Sequence, residues 1–338
     1  MTLPPLGSGQ TVCFDENGVP VPCPGSGQDA EFQRPPPSSG ERFRPTDALV
    51  HDTSTGLTWS RSANVLGFPQ TWPEALLAVA NLNQTGFLGH GDWRLPNWRE
   101  LRSLISHGQS RPALPKGHPF TEVFLGWYWT STTKAEMPAY AWNVHLEGGR
   151  MFYSRKDEFR LLWPVRGSSH TLPQTGQSTC FDAAGSPLPC LGTGQDGDLR
   201  CGLAWPSPRF ARTPTGVLDL LTGLCWMPPA ERPAQTCTWQ EALTLLGPSS
   251  TASNPVWRLP SITELESLVD AAQANPALPP AIAEELGEMA SGDGFWSSTS
   301  SGYDPAWAYV LYVQKGAVGV GFKPGREFRV WPVRRDSA

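Results

Sequence analysis

No apolar run in the 338 residues approaches the roughly 20 that a helix needs to cross a bilayer. A membrane span is therefore not expected. Basic residues are not in surplus either: 26 Lys and Arg face 31 Asp and Glu, for a net charge of −5. Nucleic-acid binding and charge-driven attachment to membrane surfaces both need clustered cations, so neither is expected. Histidine is scarce. The six are His51, His90, His107, His118, His145 and His170, with no His-x-x-x-His pair and none beyond His170. A Gly-x-Ser-x-Gly elbow, a phosphate loop and a dinucleotide fingerprint are absent too. No catalytic residue, no metal and no cofactor is expected, and an enzyme is the least favoured class. The opening stretch Met1-Thr2-Leu3-Pro4-Pro5-Leu6 lacks the basic and apolar regions of a signal peptide, so an exported protein of this sequence would be a processed form.

What is abundant is Trp, with 15 residues, alongside 35 Pro and 34 Gly. Trp brings much buried area and an N–H that needs a partner. Dense Pro and Gly between short apolar runs predicts many turns and few long helices, a loop-rich α+β fold. The seven cysteines sit at 13, 23, 180, 190, 201, 225 and 237. Cys13 and Cys23 bracket Asp15-Glu16-Asn17-Gly18, and Cys180 and Cys190 bracket Asp182-Ala183-Ala184-Gly185. Cysteines on opposite arms of a short hairpin suit a disulfide, and disulfides point to an oxidising compartment. Metal binding is the rival reading, but no His or second Cys pair stands at ligand spacing beside them. Cys225 and Cys237 are candidates for a third bridge, which leaves Cys201 odd.

An internal repeat organises the chain. Gly9-Gln10-Thr11-Val12-Cys13-Phe14-Asp15 returns as Gly176-Gln177-Ser178-Thr179-Cys180-Phe181-Asp182, and Gly27-Gln28-Asp29 as Gly194-Gln195-Asp196. Arg42-Phe43 returns as Arg209-Phe210, and Gly56-Leu57-Thr58-Trp59 as Gly223-Leu224-Cys225-Trp226. Trp93-Arg94-Leu95-Pro96 matches Trp257-Arg258-Leu259-Pro260, and Trp129-Thr130-Ser131-Thr132 matches Trp296-Ser297-Ser298-Thr299. Each half closes on Trp-Pro-Val-Arg, at Trp163 to Arg166 and Trp331 to Arg334. The expected division is residues 1–40, a Cys hairpin and lead-in to module one; 41–167, module one; 168–208, a linker and second hairpin; and 209–338, module two.

Within a module, residues 48–59 predict two short strands around a turn. Thr71 with Glu74 and Thr238 with Glu241 are capping boxes that open a first helix. Asn97 with Glu100 opens a second helix burying Leu101, Leu104 and Ile105, and Ser261 with Glu264 does the same for Leu265, Leu268 and Val269. Short alternating runs at 127–132, 140–146, 150–153 and 159–165 predict an antiparallel sheet.

These phrases, in this order and twice over, resemble the Lcl C-terminal domain family. The resemblance rests on Thr-Gly-Leu-x-Trp, Asp92-Trp93-Arg94-Leu95-Pro96, the Glu-Leu helix, Trp-x-Ser-Thr and the closing Trp-Pro-Val-Arg, and it covers both modules. It implies two tandem C-type-lectin-like modules, each with two helices and a small twisted antiparallel sheet and preceded by a Cys-bridged hairpin. It also implies a relation to the formylglycine-generating enzyme domain. Members of the family are secreted or surface-attached, the namesake adhesin binds sulfated glycosaminoglycans, and some proteins of this fold vary their ligand-binding residues near the C-terminal sheet. The reactive cysteines of the formylglycine-generating enzyme lie near its C-terminal end, where this chain has none after Cys237. Val256 replaces the acid found at Asp92, so the loop held by that acid is expected to be looser in module two.

Trp93, Leu95, Trp163 and Trp331 read as core, with Arg94, Arg166 and Arg334 as anchors of buried pairs. Residues that differ between copies are the better binding candidates. In module one these are Tyr140, Trp142, Asn143, His145, Arg150, Tyr153, Arg155 and Lys156. In module two they are Tyr303, Trp307, Tyr309, Tyr312, Gln314, Lys315, Phe322 and Lys323. Exposed aromatics among Arg, Lys and Asn would stack on sugars and hold sulfates or carboxylates, while ordinary sheet surface is the plainer alternative. The loop acids Glu136, Glu147, Asp293 and Asp304 form no dense array of the kind calcium needs. The expected protein is an exported, surface-associated adhesin that binds a glycan or a protein partner. A structural subunit of an extracellular fibre, associating with its own copies, is the rival class.

Overall fold

A loop closed by cysteines ten positions apart is too small to have a core, and each half of this chain contains one. In the computed structural model, which describes residues 2–32, 39–228, 231–245, 257–284 and 294–335, Cys13 is bonded to Cys23 and Cys180 to Cys190. Each bridge ties a ladder of two-residue strands, Cys13–Phe14 against Pro20–Val21 and Cys180–Phe181 against Pro187–Leu188. Closing such a loop limits the unfolded chain and contributes roughly 2–4 kcal/mol. At the turns, Asp15 Oδ1 accepts the N–H groups of Asn17 and Val19, and Asp182 Oδ1 that of Ser186. A single helical turn follows each hairpin, Asp29–Phe32 and Asp196–Leu199.

The third bridge does not form. Cys225 lies on a strand, opposite Leu218 and Arg334, whereas Cys237 bridges Phe328 and packs with Trp239 and Trp296. The two thiols thus belong to different layers of the module.

Module one has two antiparallel sheets. The first runs Phe43–Pro45, Leu49–Asp52, Thr58–Ser60 and Val165–Arg166, so the Gly-Leu-x-Trp strand pairs with the closing Trp-Pro-Val-Arg. The second is built from Trp127–Thr133, Tyr140–His145 and Met151–Arg155. The helices are Trp72–Gln84 and Trp98–Ser103. At the first, the Thr71 N–H and hydroxyl both donate to the Glu74 carboxylate; at the second, Asn97 and Glu100 exchange backbone-to-side-chain bonds of 3.0 Å. The core gathers Trp72, Val79, Trp93, Leu95, Trp129 and Leu162. Its indoles are satisfied by carbonyls, Trp72 by Thr130, Trp129 by Gln70 and Trp163 by Ser60.

Module two repeats the plan. Its strands are Phe210–Thr213, Gly216–Asp219, Leu224–Trp226 and Val333–Arg335 in one sheet, with Gly294–Ser300, Trp307–Tyr312 and Ala317–Phe322 forming a second antiparallel set. Its helices Trp239–Thr244 and Ile262–Ser267 carry the same capping boxes. One predicted strand, at 159–165 in module one, is absent. Residues 159–165 make single bridges, Arg160 to Gln70, Leu161 to Tyr128 and Val165 to Arg94, and join the ladder only at Val165–Arg166. The run is apolar because it fills the core (Leu161, Leu162 and Trp163 are buried), not because it lines a sheet.

The chain groups into two units. One contains Met1–Pro36, Trp205–Val269 and Ala274–Ala338, and the other Pro37–Ala204 with Asp270–Gln273. The first hairpin therefore packs with module two, although it leads into module one in the sequence, and the second hairpin packs with module one. The stretch after Arg166 is also more than a tether. Leu172 is buried, Thr171 donates its hydroxyl to the Ser54 carbonyl, and Gln174 donates its N–H to Leu203.

Paired arginines fix the loops of both modules. Arg94 grips Glu100 through bonds of 2.9 and 2.8 Å and also donates to the Gly167 carbonyl; Arg258 grips Glu264 at 2.7 and 2.6 Å. Arg42 holds Asp52 and the Ser103 carbonyl, and Arg209 holds Asp219 and the Ser267 carbonyl. Glu100 is buried and also serves its capping box, so losing the guanidinium strands a charge. Arg94→Ala is expected to cost about 3–5 kcal/mol in denaturant unfolding, while the paired Arg94→Met and Glu100→Leu exchange recovers much of that loss.

Candidate functional site

The hairpin residues repeated in both copies are those that hold the hairpin onto a module. In the unit containing module one, the Gln177 amide pairs with strand residue Thr133 as a further strand would. Its Nε2 donates to the Thr133 carbonyl at 2.7 Å, and its Oε1 accepts the Thr133 N–H at 2.8 Å. In the unit containing module two, Gln10 makes the same pair with Ser300, at 2.8 Å in each direction. Asp196 accepts the hydroxyls of Thr132 and Thr175 at 2.6 and 2.7 Å, and Asp29 accepts that of Thr299 at 2.5 Å. Gln195 clasps both backbone groups of Phe181, and Gln28 those of Phe14. The last Thr of Trp-x-Ser-Thr is thus a docking residue.

Lys156 and Lys323 complete the dock. Both are buried under the hairpin turn. The Lys156 ammonium lies 4.0 Å from the Trp72 ring centroid and donates to the carbonyls of Phe181 and Asp182 at 3.3 and 3.0 Å. Lys323 lies 3.9 Å from the Trp239 centroid and donates to the Asp15 carbonyl at 3.0 Å. Gly185 and Gly18 let the turns come this close. Each has positive φ, and a Cβ there would stand 2.7 Å from the Ala139 nitrogen or 2.8 Å from that of Ala306.

The strand residues expected to bind ligand divide by position. Trp142, Asn143, His145 and Tyr309 are buried, as are Lys156 and Lys323, and none of the six offers a surface to a ligand. Asn143 donates to the Ser154 hydroxyl, and His145 packs 4.6 Å from Trp127, where burial lowers its pKa. Strand alternation fixes a residue's side of the sheet, but the helix and the hairpin decide whether that side meets solvent. Tyr140, Arg150, Tyr153, Trp307, Tyr312 and Lys315 are half-buried, and Arg155 and Tyr303 are exposed.

Module one brings three of these together. Tyr140 is directly opposite Arg155, and Trp142 opposite Tyr153, so the four side chains share one side of the sheet. Tyr140 and Tyr153 meet edge to face at 5.9 Å, Trp142 supports Tyr153 at 5.5 Å, and Lys134 sits 5.5 Å from the Tyr153 ring. Arg155 is held by Asp157 through bonds of 3.0 and 2.8 Å. The corresponding place in module two is apolar: Trp307 is opposite Phe322 with rings 5.3 Å apart, and Tyr303 lies exposed in the preceding loop. Tyr312 and Lys315 stand apart from that pair, at the hairpin Tyr312↔Ala317.

Asp92 bonds Arg166 at 2.7 Å, which ties the loop before the second helix to the closing strand. Val256, at the matching position, lies outside the described residues, as does Asp293. Of the other loop acids, Glu136 pairs with Lys134, Glu147 with Arg111, and Asp304 accepts the Ala306 N–H. Among the described residues, no group of three or more His, Cys, Asp or Glu stands close enough to hold a metal, and no helix is long and apolar enough to cross a membrane.

Burial pushes both docking lysines down to about 7, from an ordinary value near 10.5, against a smaller opposing pull from Asp182 on one and Asp15 on the other. Above pH 7 the unfolded chain therefore holds protons on these lysines that the folded chain does not, so stability rises with pH. Half-buried Cys201 and buried Cys237 act oppositely. Their thiols are pushed up to about 11, so the folded chain keeps protons above pH 9 that the unfolded chain loses. The thermal unfolding midpoint is expected to climb between pH 7 and pH 9 and then level off. In a Lys156→Met, Lys323→Met chain, followed by scanning calorimetry over the same range, the climb should vanish.

The model of the Lcl C-terminal domain matches residues 48–166 and again residues 215–334. No curated protein and no solved structure matches the chain. The two matched segments contain the helices, the strands of the second sheet and the Arg94–Glu100 and Arg258–Glu264 pairs of each module, begin after its first strand, and leave out the cystine hairpins. Together they span well over half of the sequence, and the chain belongs to the Lcl C-terminal domain family.

Proposed function

We propose that this chain is a non-enzymatic binding protein of the extracellular space or cell surface, with C-type-lectin-like modules, and that module one recognises a glycan through Tyr140, Tyr153 and Arg155. The observation that carries this reading is the placement of two half-exposed tyrosines beside an exposed Arg–Asp pair on adjacent strands. Aromatic faces stack on the apolar faces of sugar rings, and a guanidinium locked to a carboxylate offers donors and acceptors to ring hydroxyls. Because Asp157 offsets the charge of Arg155, the pair suits hydroxyls better than it suits sulfate. The two disulfides support an oxidising compartment.

Module two supports a different ligand. Trp307, Phe322 and Tyr303 bring no charge, and Phe322 is 45% exposed, which favours an apolar protein surface over a sugar. The adhesin would then hold a glycan with one module and a protein with the other.

A glycan array probed with the whole purified chain, with and without calcium, tests the first reading. Tyr153→Ala is expected to weaken the best glycan about tenfold, equivalent to about 1.4 kcal/mol. Arg155→Ala should weaken it with little dependence on salt, while strong salt dependence would mark sulfate recognition instead. No binding to any neutral or sulfated glycan, with capture of a single protein partner, would sink the lectin reading.

A further inference from the structure

The two hairpin docks are chemically the same but differ in chain order. The second hairpin follows module one directly, so that unit is continuous apart from Asp270–Gln273. Module two takes its hairpin from elsewhere in the chain. Its docking strand is met by the hairpin from the opposite end of the chain, Gln10 on Ser300 and Asp29 on Thr299, across about 290 and 270 positions. The first module lies between donor and acceptor in the covalent chain.

We propose that the hairpin-docking face of module two also takes the first hairpin of a second copy of this chain, giving head-to-tail association. The contact is the one already described, made between molecules instead of within one. Every atom of the dock is supplied by the hairpin on one side and by module two on the other: the Gln10 amide, the Asp29 carboxylate and the Asp15 carbonyl against Ser300, Thr299 and Lys323. None of it depends on the donor and acceptor being the same molecule. Exchange of an identical element costs little, because the closed and exchanged forms bury the same groups. The donor and acceptor surfaces are also different, so the contact is heterologous and can propagate along a chain of copies. Closure within one molecule wins when the tethered hairpin's effective concentration, below the millimolar of short flexible linkers because the whole of module one intervenes, exceeds the protein concentration.

The test is to refold the whole chain from denaturant, disulfides intact, at about 10 μM and about 1 mM, on either side of that effective concentration, and to measure mass by light scattering. At the lower concentration the chain should run at 36.8 kDa, and at the higher it should include integral multiples of that mass. Gly18→Val, which unseats the first hairpin from Ala306, should stay at the single mass at both concentrations. Gly185→Val, the same change in the hairpin that follows its own module, should still associate. Gln10→Ala, which removes two hydrogen bonds without a clash, should reduce the multiples as Gly18→Val does. Single-mass wild type at both concentrations overturns the proposal, as does association that both Gly18→Val and Gln10→Ala leave unchanged.

Discussion

A cystine loop with two-residue strands has no core of its own, and much that is repeated in this chain follows from how hairpin and module satisfy each other's polar groups. A glutamine amide imitates a strand, an aspartate takes the hydroxyl of a strand threonine, and a lysine is drawn under the turn to reach carbonyls. The lysine is the costly part. A buried ammonium is tolerated because an indole face and the hairpin carbonyls replace its water. The same lysine's backbone carbonyl accepts the N–H of that indole residue at the start of the first helix, so hairpin, helix and sheet are coupled at one residue.

Much of the framework was legible in the sequence, because it is written in local rules. The capping boxes at Thr71, Asn97, Thr238 and Ser261 begin helices, and Arg94 is the buried anchor its setting suggested. Pairing of the short-range cysteines was legible in their place across a short hairpin and in the repetition of that hairpin. Other features depend on contacts between distant segments. Both modules display the same acceptor residues, so nothing local tells the first hairpin which to occupy. Lys156 and Lys323 follow strands whose alternation gives a side, yet only the hairpin makes that side an interior. The run at 159–165 is apolar like a strand but spends its side chains in the core. Gln10, Asp29 and their counterparts were visible as repeated residues, and that repetition was the available sign of a shared docking role.

The two modules keep one scaffold and change what stands on it. Tyr140, Tyr153 and Arg155 in one occupy the ladder positions of Trp307, Val320 and Phe322 in the other. The substitutions leave Lys156 and Lys323, the capping boxes and the arginine pairs in place. Residues on this sheet can therefore diverge without disturbing what holds the module and its hairpin together. In module one the outcome is polar and aromatic, in module two aromatic alone.

The pairing of Thr58–Ser60 with Val165–Arg166, and of Leu224–Trp226 with Val333–Arg335, returns the closing strand of each module to the sheet that its first three strands build. A domain that begins and ends in one sheet can be copied, excised or spliced into a loop of another protein without pulling its core open. A gene that duplicates such a segment gains a second folded body at once.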